Sequence, residues 1–238
     1  MTLSGIKALS GKLWRVVEGQ HVIATRGLVD STEEHDLLER MIDAAKPAAP
    51  DEKEFAGLHY LLSTPFRYPP LRHGSRFATR HDRSIFYGST ELRSAFAETA
   101  YYRLLFLEGT AAHLEPVDTD LSAFQVGYRT SKGLDLTRDP SVSAPDRYDG
   151  SQKLGARMRE AGVEAFRYAS AREAEGVNVG LFTPRAFTSK RPGAMQVWKA
   201  AASRAAVEIR RHDLLHPETF VYPRQQFLVR GVLPRPAV

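Results

Sequence analysis

The chain of 238 residues contains no cysteine. That absence excludes disulfides, thiolate nucleophiles and cysteine-ligated zinc or iron–sulfur centres, so any chemistry must come from oxygen and nitrogen groups. No apolar run is long enough to span a bilayer, and the N-terminal MTLSGIKALSGKLWRVV lacks an apolar core of signal-peptide length. The expected compartment is therefore the cytoplasm, with no membrane partner. Internal repeats and low-complexity tracts are missing as well.

Several catalytic signatures are absent too. A P-loop fails because one residue too many separates Gly5 from Gly11 and Leu13 stands where the hydroxyl belongs. There is no GxSxG. The HDLLH at 212–216 has the histidine spacing of a zinc helix, but Asp213 replaces the general-base glutamate and Pro217 follows at once. No metal site and no prosthetic group are expected.

What is present is an ordinary globular composition, 42% hydrophobic and 26% charged, sufficient for one domain over 1–238. A formal net charge of +5 favours an anionic partner without choosing among nucleic acid, dinucleotide, phosphate or an acidic protein surface.

Hydrophobic periodicity divides the chain. Residues 13–18 read as a first strand carrying Arg15. Residues 30–47 read as a surface helix with Ser31 and Glu34 in capping-box spacing and Pro47 as its stop, and 47–57 as a loop or hinge. The stretch 63–83 is too rich in proline, glycine and arginine for a regular element and leads into a strand at 84–87. A helix capped by Thr90 follows, then two short strands within 111–129 and a polar segment over 130–148. A third helix spans about 151–161 with Asp149 as cap, and strands are expected at 163–168, 177–183, 194–200, 205–211 and 225–232. Early helices and late strands predict an α/β protein of the mixed α+β kind, with a central mixed sheet and packed helices.

Five features carry possible chemistry. Between 67 and 83 lie Arg67, Arg72, Arg76, Arg80 and Arg83, opposed only by Asp82, in a loop where guanidinium forks and the backbone near Gly74 suit phosphate oxygens. A solvated basic loop or a nucleic-acid patch, with Tyr68, Phe77 and Phe86 stacking on bases, explains the charge equally well. Glu98 stands in an apolar helical stretch, AFAETA, on the side of Ser94, Ala95, Tyr101 and Tyr102. Arg93 and Arg103 are five positions away and about 140° around the helix, out of pairing reach. A solvated boundary glutamate remains the alternative. Tyr87 ends a strand and either packs in the core or stacks on a flat ligand. Ser151 opens a helix and either caps it or reaches a ligand. His59, His73 and His81, near the arginine loop, are further acid–base candidates.

Taken in order, GSRF at 74–77, IFYGS at 85–89, FAET at 96–99 and DGSQKLG at 149–155 resemble the RES family, named for its arginine, glutamate and serine. Arg76, Tyr87 and Glu98 follow at intervals of eleven residues, and Trp14-Arg15 resembles the family's opening aromatic–arginine pair. Ser75 stands where many members carry glycine, and a helical segment at about 20–66 reads as an insertion. The resemblance implies an ADP-ribosyltransferase-like fold and the toxin of a bacterial type II toxin–antitoxin pair. Such a toxin consumes NAD as substrate, by phosphorolysis or by ADP-ribosyl transfer to a protein, and is neutralised by an Xre-like helix-turn-helix antitoxin through which alone it contacts DNA. It further implies that Arg76, Glu98 and Ser151 are catalytic. Arg15 or Arg67, with Tyr68 and Tyr87, would bind NAD or phosphate; both arginines remain candidates for the second clamp.

Overall fold

The computed structural model describes residues 5–19, 53–112 and 116–235, apart from 69, 71 and 214, together with a few positions between 31 and 42. The segment read as an insertion therefore lies mostly outside the described residues. Within it, Glu33, Glu34, Leu37, Leu38, Met41 and Ile42 are helical, and the Glu34 amide donates to Ser31 Oγ at 3.1 Å.

The fold is a mixed sheet with helices packed on it. Its axis is β3 (Val117–Leu136), along one edge of which β1 (Lys7–Glu18) runs antiparallel. The other edge of β3 is shared. Its first third pairs antiparallel with β6 (Gln196–Ala202), which continues to β7 (Ala206–Arg211) and β8 (Thr219–Pro223). Its last four residues pair parallel with β4 (Ala165–Ala169), followed by β5 (Val177–Leu181) and β2 (Phe86–Ser89). Strand β2 then meets β1 at a single position, Trp14 opposite Ser89, so five strands close on themselves while β1 and β2 diverge on either side of that bridge.

Helix α2 (Leu92–Gly109) lies over this divergence and covers the β6–β8 wing. Phe96, Ala100, Tyr101, Leu104 and Leu107 bury against Trp198, Ile209 and Tyr222. Each large side chain so buried contributes roughly 1.5–3 kcal/mol. Helix α1 (Tyr60–Arg67) inserts Leu61, Leu62 and Phe66 into a second cluster with Phe55, Leu13, Phe86 and Phe124, and α3 (Asp149–Glu160) packs Met158 beside Phe77 and Phe166.

Several sequence-based boundaries differ, each for a physical reason. The two strands expected over 111–129 are one strand running to Leu136, because β6 pairs with its start, β1 with its middle from Leu121 to Gly133 and β4 with its last four residues. Helix α1 forms despite Pro65, which falls in its last turns and removes one backbone donor, because its apolar face is buried. Thr90 does not cap α2: its hydroxyl donates to Val177 O at 3.2 Å, and Glu91 occupies the cap position without a side-chain bond. Asp149 is the first residue of α3 rather than its cap, a position taken by Tyr148. The strand expected at 225–232 is absent. Arg230 and Gly231 both take positive φ, 52° and 80°, and fold the chain so that Val229 bridges Val232. Residues 212, 213, 215 and 216 are not helical and lie between β7 and β8.

Packing between α3 and the arginine loop is close enough to test. A Cβ at Gly155 would stand 2.0 Å from the Phe77 carbonyl oxygen, whereas one at Gly109 meets nothing within 4 Å. Gly155→Ala is expected to destabilise by about 1–3 kcal/mol through overpacking against backbone. Gly109→Ala is expected to be neutral or to stabilise by about 0.4–1 kcal/mol through the unfolded chain. Urea unfolding midpoints of the two variants check both signs.

Candidate functional site

Where β1 and β2 diverge beneath α2, a cavity of about 350 Å³ opens to solvent. Its walls come from four separate segments: Trp14–Val16 of β1, Ser75 and Arg76 of the arginine loop, Tyr87–Ser89 of β2, and Ala95, Glu98, Thr99 and Tyr102 of α2. Tyr148, Tyr168 and Asn178 complete it.

Two guanidinium groups reach this cavity without a carboxylate partner among the described residues. Arg15 Nη1 donates to the Tyr87 carbonyl at 2.6 Å, its plane lies 4.7 Å from the Phe86 ring centroid, and its Nε is buried with no partner. Removing that cation from water without an opposing charge brings its pKa down to about 10. Arg76, also buried, donates from Nη1 to the carbonyls of Ala144 (2.7 Å) and Val142 (3.3 Å) and lies 4.8 Å from the Tyr148 ring centroid. Carbonyl dipoles and ring faces soften the cost of burying these charges but leave them un-neutralised. An anion entering the cavity would supply what is missing.

The loop that carries Arg76 is held from behind. Ser151 Oγ, buried in α3, donates to Arg76 O at 2.6 Å and lies 3.0 Å from Tyr148 O. The Gln152 side-chain amide lies 3.0 Å from Ser75 O and within 3.4 Å of His73 O and Ala78 O. From the strand side, the Tyr87 hydroxyl accepts the Phe77 N–H at 3.2 Å and shares a hydrogen bond with Ser75 Oγ at 3.0 Å. Burial pushes this phenol up to about 12, so it stays protonated.

Glu98 is half-buried on the face of α2 that looks into the cavity. Its Oε1 accepts from Asn178 Nδ2 at 2.7 Å and from Ser170 Oγ at 3.1 Å, and no described group bonds Oε2. Arg93 and Arg103 pair elsewhere, with Glu173 and Glu18. Glu98 is thus a carboxylate with one oxygen held by the protein and the other turned to a space that also holds two unneutralised cations.

The RES domain profile matches residues 52–203, well over half of the chain, and spans Arg76, Tyr87, Glu98 and Ser151. This chain belongs to the RES family. The family is associated with toxin–antitoxin systems and with NAD-related activity. No protein of curated description matches the chain.

Of the residues singled out from sequence, the RES fold brings Arg15, Arg76, Tyr87 and Glu98 to one cavity, Arg15 from outside the matched span. Ser151 stands behind the wall rather than in it, with its hydroxyl on backbone carbonyls. Arg67 and Tyr68, at the end of α1, do not line the cavity, so Arg15 is the second arginine there. The three histidines lie outside as well. His59 Nδ1 accepts the Leu61 amide at the start of α1, while His73 and His81 sit exposed on the loop. Sequence reasoning passed over Ser89, Asn178, Ser170, Tyr148 and Tyr168. One signal was available: an asparagine inside the strand VNVGL runs against the depletion of that residue from strands and needs partners once buried. Among the described residues no group of three or more histidine, aspartate or glutamate side chains is arranged to hold a metal ion. No helix among them is long and apolar enough to cross a membrane.

The hydroxyl of Tyr87 is the testable part of this frame. Tyr87→Phe leaves the Phe77 N–H without its acceptor and is expected to cost about 1–3 kcal/mol in unfolding experiments near neutral pH. Because the folded pKa is raised from 10.0 to about 12, the Tyr87 contribution is intact below pH 10 and is lost as pH rises through 12. The variant should therefore lose less stability than the parent between pH 9 and 12. Parallel slopes for the two proteins would show that the phenol is not the buried group described.

Proposed function

We propose that this RES domain is the toxin of a type II toxin–antitoxin pair and breaks the nicotinamide–ribose bond of NAD. The observation that carries this reading is the pairing, in one aromatic-walled cavity, of two guanidinium groups without a carboxylate partner and a carboxylate whose Oε2 is unbonded, both among the described residues. NAD joins a diphosphate to a ribose bearing a cationic leaving group, and each part finds its complement here. Arg15 and Arg76 suit the diphosphate, or an attacking inorganic phosphate. The tyrosine faces suit the flat pyridinium ring.

In the reaction the C1′–N bond breaks and its electron pair leaves with nicotinamide, which becomes neutral. Positive charge develops at C1′, where Glu98 Oε2 stabilises it until phosphate or a protein nucleophile forms the new bond to carbon. Ser151 acts at one remove, by fixing the backbone of Arg76. At about 350 Å³ the cavity is near the lower end of small-molecule sites, which suits the nicotinamide riboside end, with the adenosine end leaving through the mouth. A helix-turn-helix antitoxin covering that mouth would neutralise the toxin.

The test is incubation of the purified protein with NAD, with and without inorganic phosphate, and quantification of nicotinamide. Release is expected, with Glu98→Gln slower by about 10²–10³-fold. Arg15→Met should weaken NAD binding yet melt no lower than the parent, since it removes a buried charge without a counter-ion. A phosphate requirement identifies the acceptor as phosphate, and label retained on a macromolecule identifies it as protein. Failure of the folded protein to release nicotinamide under every condition overturns the enzymatic reading. Salt-sensitive RNA binding in that event would point to the exposed arginines at 72, 80 and 83.

A further inference from the structure

We infer that Asn178 is a positioning residue for this reaction: with Ser170 it holds one oxygen of Glu98 so that the other faces the reacting carbon, and Ser89 sets the direction of its amide. The inference rests on the function proposed above.

A glutamate side chain has three rotatable torsions, and on a helix bordering a cavity its carboxylate samples many orientations unless something stops it. Here both donors converge on the same oxygen, Oε1, from Asn178 at 2.7 Å and Ser170 at 3.1 Å. Neither donor has another direction to choose. Ser170 Oγ accepts the backbone N–H groups of Arg172 (3.1 Å) and Glu173 (3.2 Å), which uses its lone pairs and leaves its one proton for Glu98. Asn178 Oδ1 accepts from Ser89 Oγ at 2.6 Å, which turns Nδ2 toward the carboxylate; a flipped amide would set oxygen against oxygen. Asn178 is 2% exposed and Ser89 2%, so water does not substitute for either bond.

The three groups come from β2, β5 and the turn after β4, that is, from the rigid sheet opposite α2. The sheet thereby fixes the aim of a side chain borne by a helix. What this supplies is geometric. With Oε1 saturated, the lone pairs of Oε2 are directed into the cavity before NAD arrives, and no reorganisation is needed as charge develops at C1′. In the bond-breaking step the electron pair goes to nicotinamide, the new bond comes from the acceptor, and Asn178 neither gives nor takes a proton.

A purely structural role, satisfying a partly buried carboxylate, predicts lost stability. A positioning role predicts lost kcat through Glu98. The experiment measures nicotinamide release, KM for NAD and thermal midpoint for the full chain carrying Asn178→Ala, Asn178→Asp, Ser89→Ala, Ser170→Ala and Ser170→Thr. Misplacement of a reacting group by about 1 Å costs on the order of 10²-fold. Asn178→Ala is therefore expected to lower kcat by about 10- to 100-fold with KM within about threefold, and Asn178→Asp, which sets an acceptor against Oε1, to lower it further. Ser89→Ala, which keeps the amide, should give a smaller loss, and Ser170→Thr should retain what Ser170→Ala loses.

The decisive arm is Asn178→Ala combined with Glu98→Gln, where a residue acting through Glu98 adds no further loss to that of Glu98→Gln alone. Should Asn178→Ala fail to fold, the Ser89→Ala and Ser170→Ala/Thr comparison carries the same test. Unchanged kcat in an active protein, additive losses in the double variant, or losses that follow the thermal midpoint would each overturn the inference while leaving NAD cleavage intact. A parent protein that releases no nicotinamide would remove the proposed function and this inference with it.

Discussion

The backbone of residues 75–78 is the constraint on which the site depends. It is a tight turn in which Ser75 and Ala78 bond each other, and it is hydrogen-bonded from two further directions. Ser151 and Gln152 reach it from the first turns of α3, and the Tyr87 hydroxyl reaches it from β2. Gly155 lets α3 approach to a distance that no side chain allows. Arg76 projects from this clamped segment, so its guanidinium is placed by helix and strand together rather than by the loop. The motif glycine at Gly74, with φ of 77° and the Ala78 carbonyl 2.3 Å from where a Cβ would stand, makes the turn possible.

Charge buried without counter-charge recurs around the cavity. Arg172, 3% exposed, follows the pattern of Arg15 and Arg76. Its Nη2 donates to Pro145 O at 3.0 Å, its guanidinium stacks 3.5 Å from the Tyr101 centroid, and Nη1 is buried without a partner. With Arg76 on Val142 and Ala144, it pins the 142–148 segment from both sides and so positions the Tyr148 wall. Carbonyls and ring faces are weak compensation compared with a carboxylate, so burying these charges carries a destabilising term that an anion bound beside them would relieve. Among the described residues lining the cavity, the one carboxylate is tied to Asn178 and Ser170 instead of to an arginine.

Much of this was legible in the chain. Strands rich in valine and aromatic residues, such as those around 177–181 and 206–211, announce themselves, and Glu98 was conspicuous as a charge in an apolar helical run with no arginine in reach. What escaped depends on partners far away in sequence. The continuity of β3 comes from β1, more than a hundred residues earlier, and α1 exists because Phe66 finds Phe86 and Phe187. Ser151 illustrates a different limit. Its place at the start of a helix is legible, but a serine there can face a ligand or a neighbouring loop, and only packing decides that it faces Arg76 O. The choice between Arg15 and Arg67 had to wait for the divergence of β1 and β2 for the same reason.

If one cavity binds NAD with its scissile bond at Glu98, a crystal structure of the Glu98→Gln protein soaked with NAD will show a nicotinamide riboside between the tyrosine walls, with C1′ next to the side chain at position 98 and phosphate oxygens on Arg15 or Arg76. NAD bound instead along the exposed arginines at 72, 80 and 83, with the cavity free of ligand, would contradict that placement.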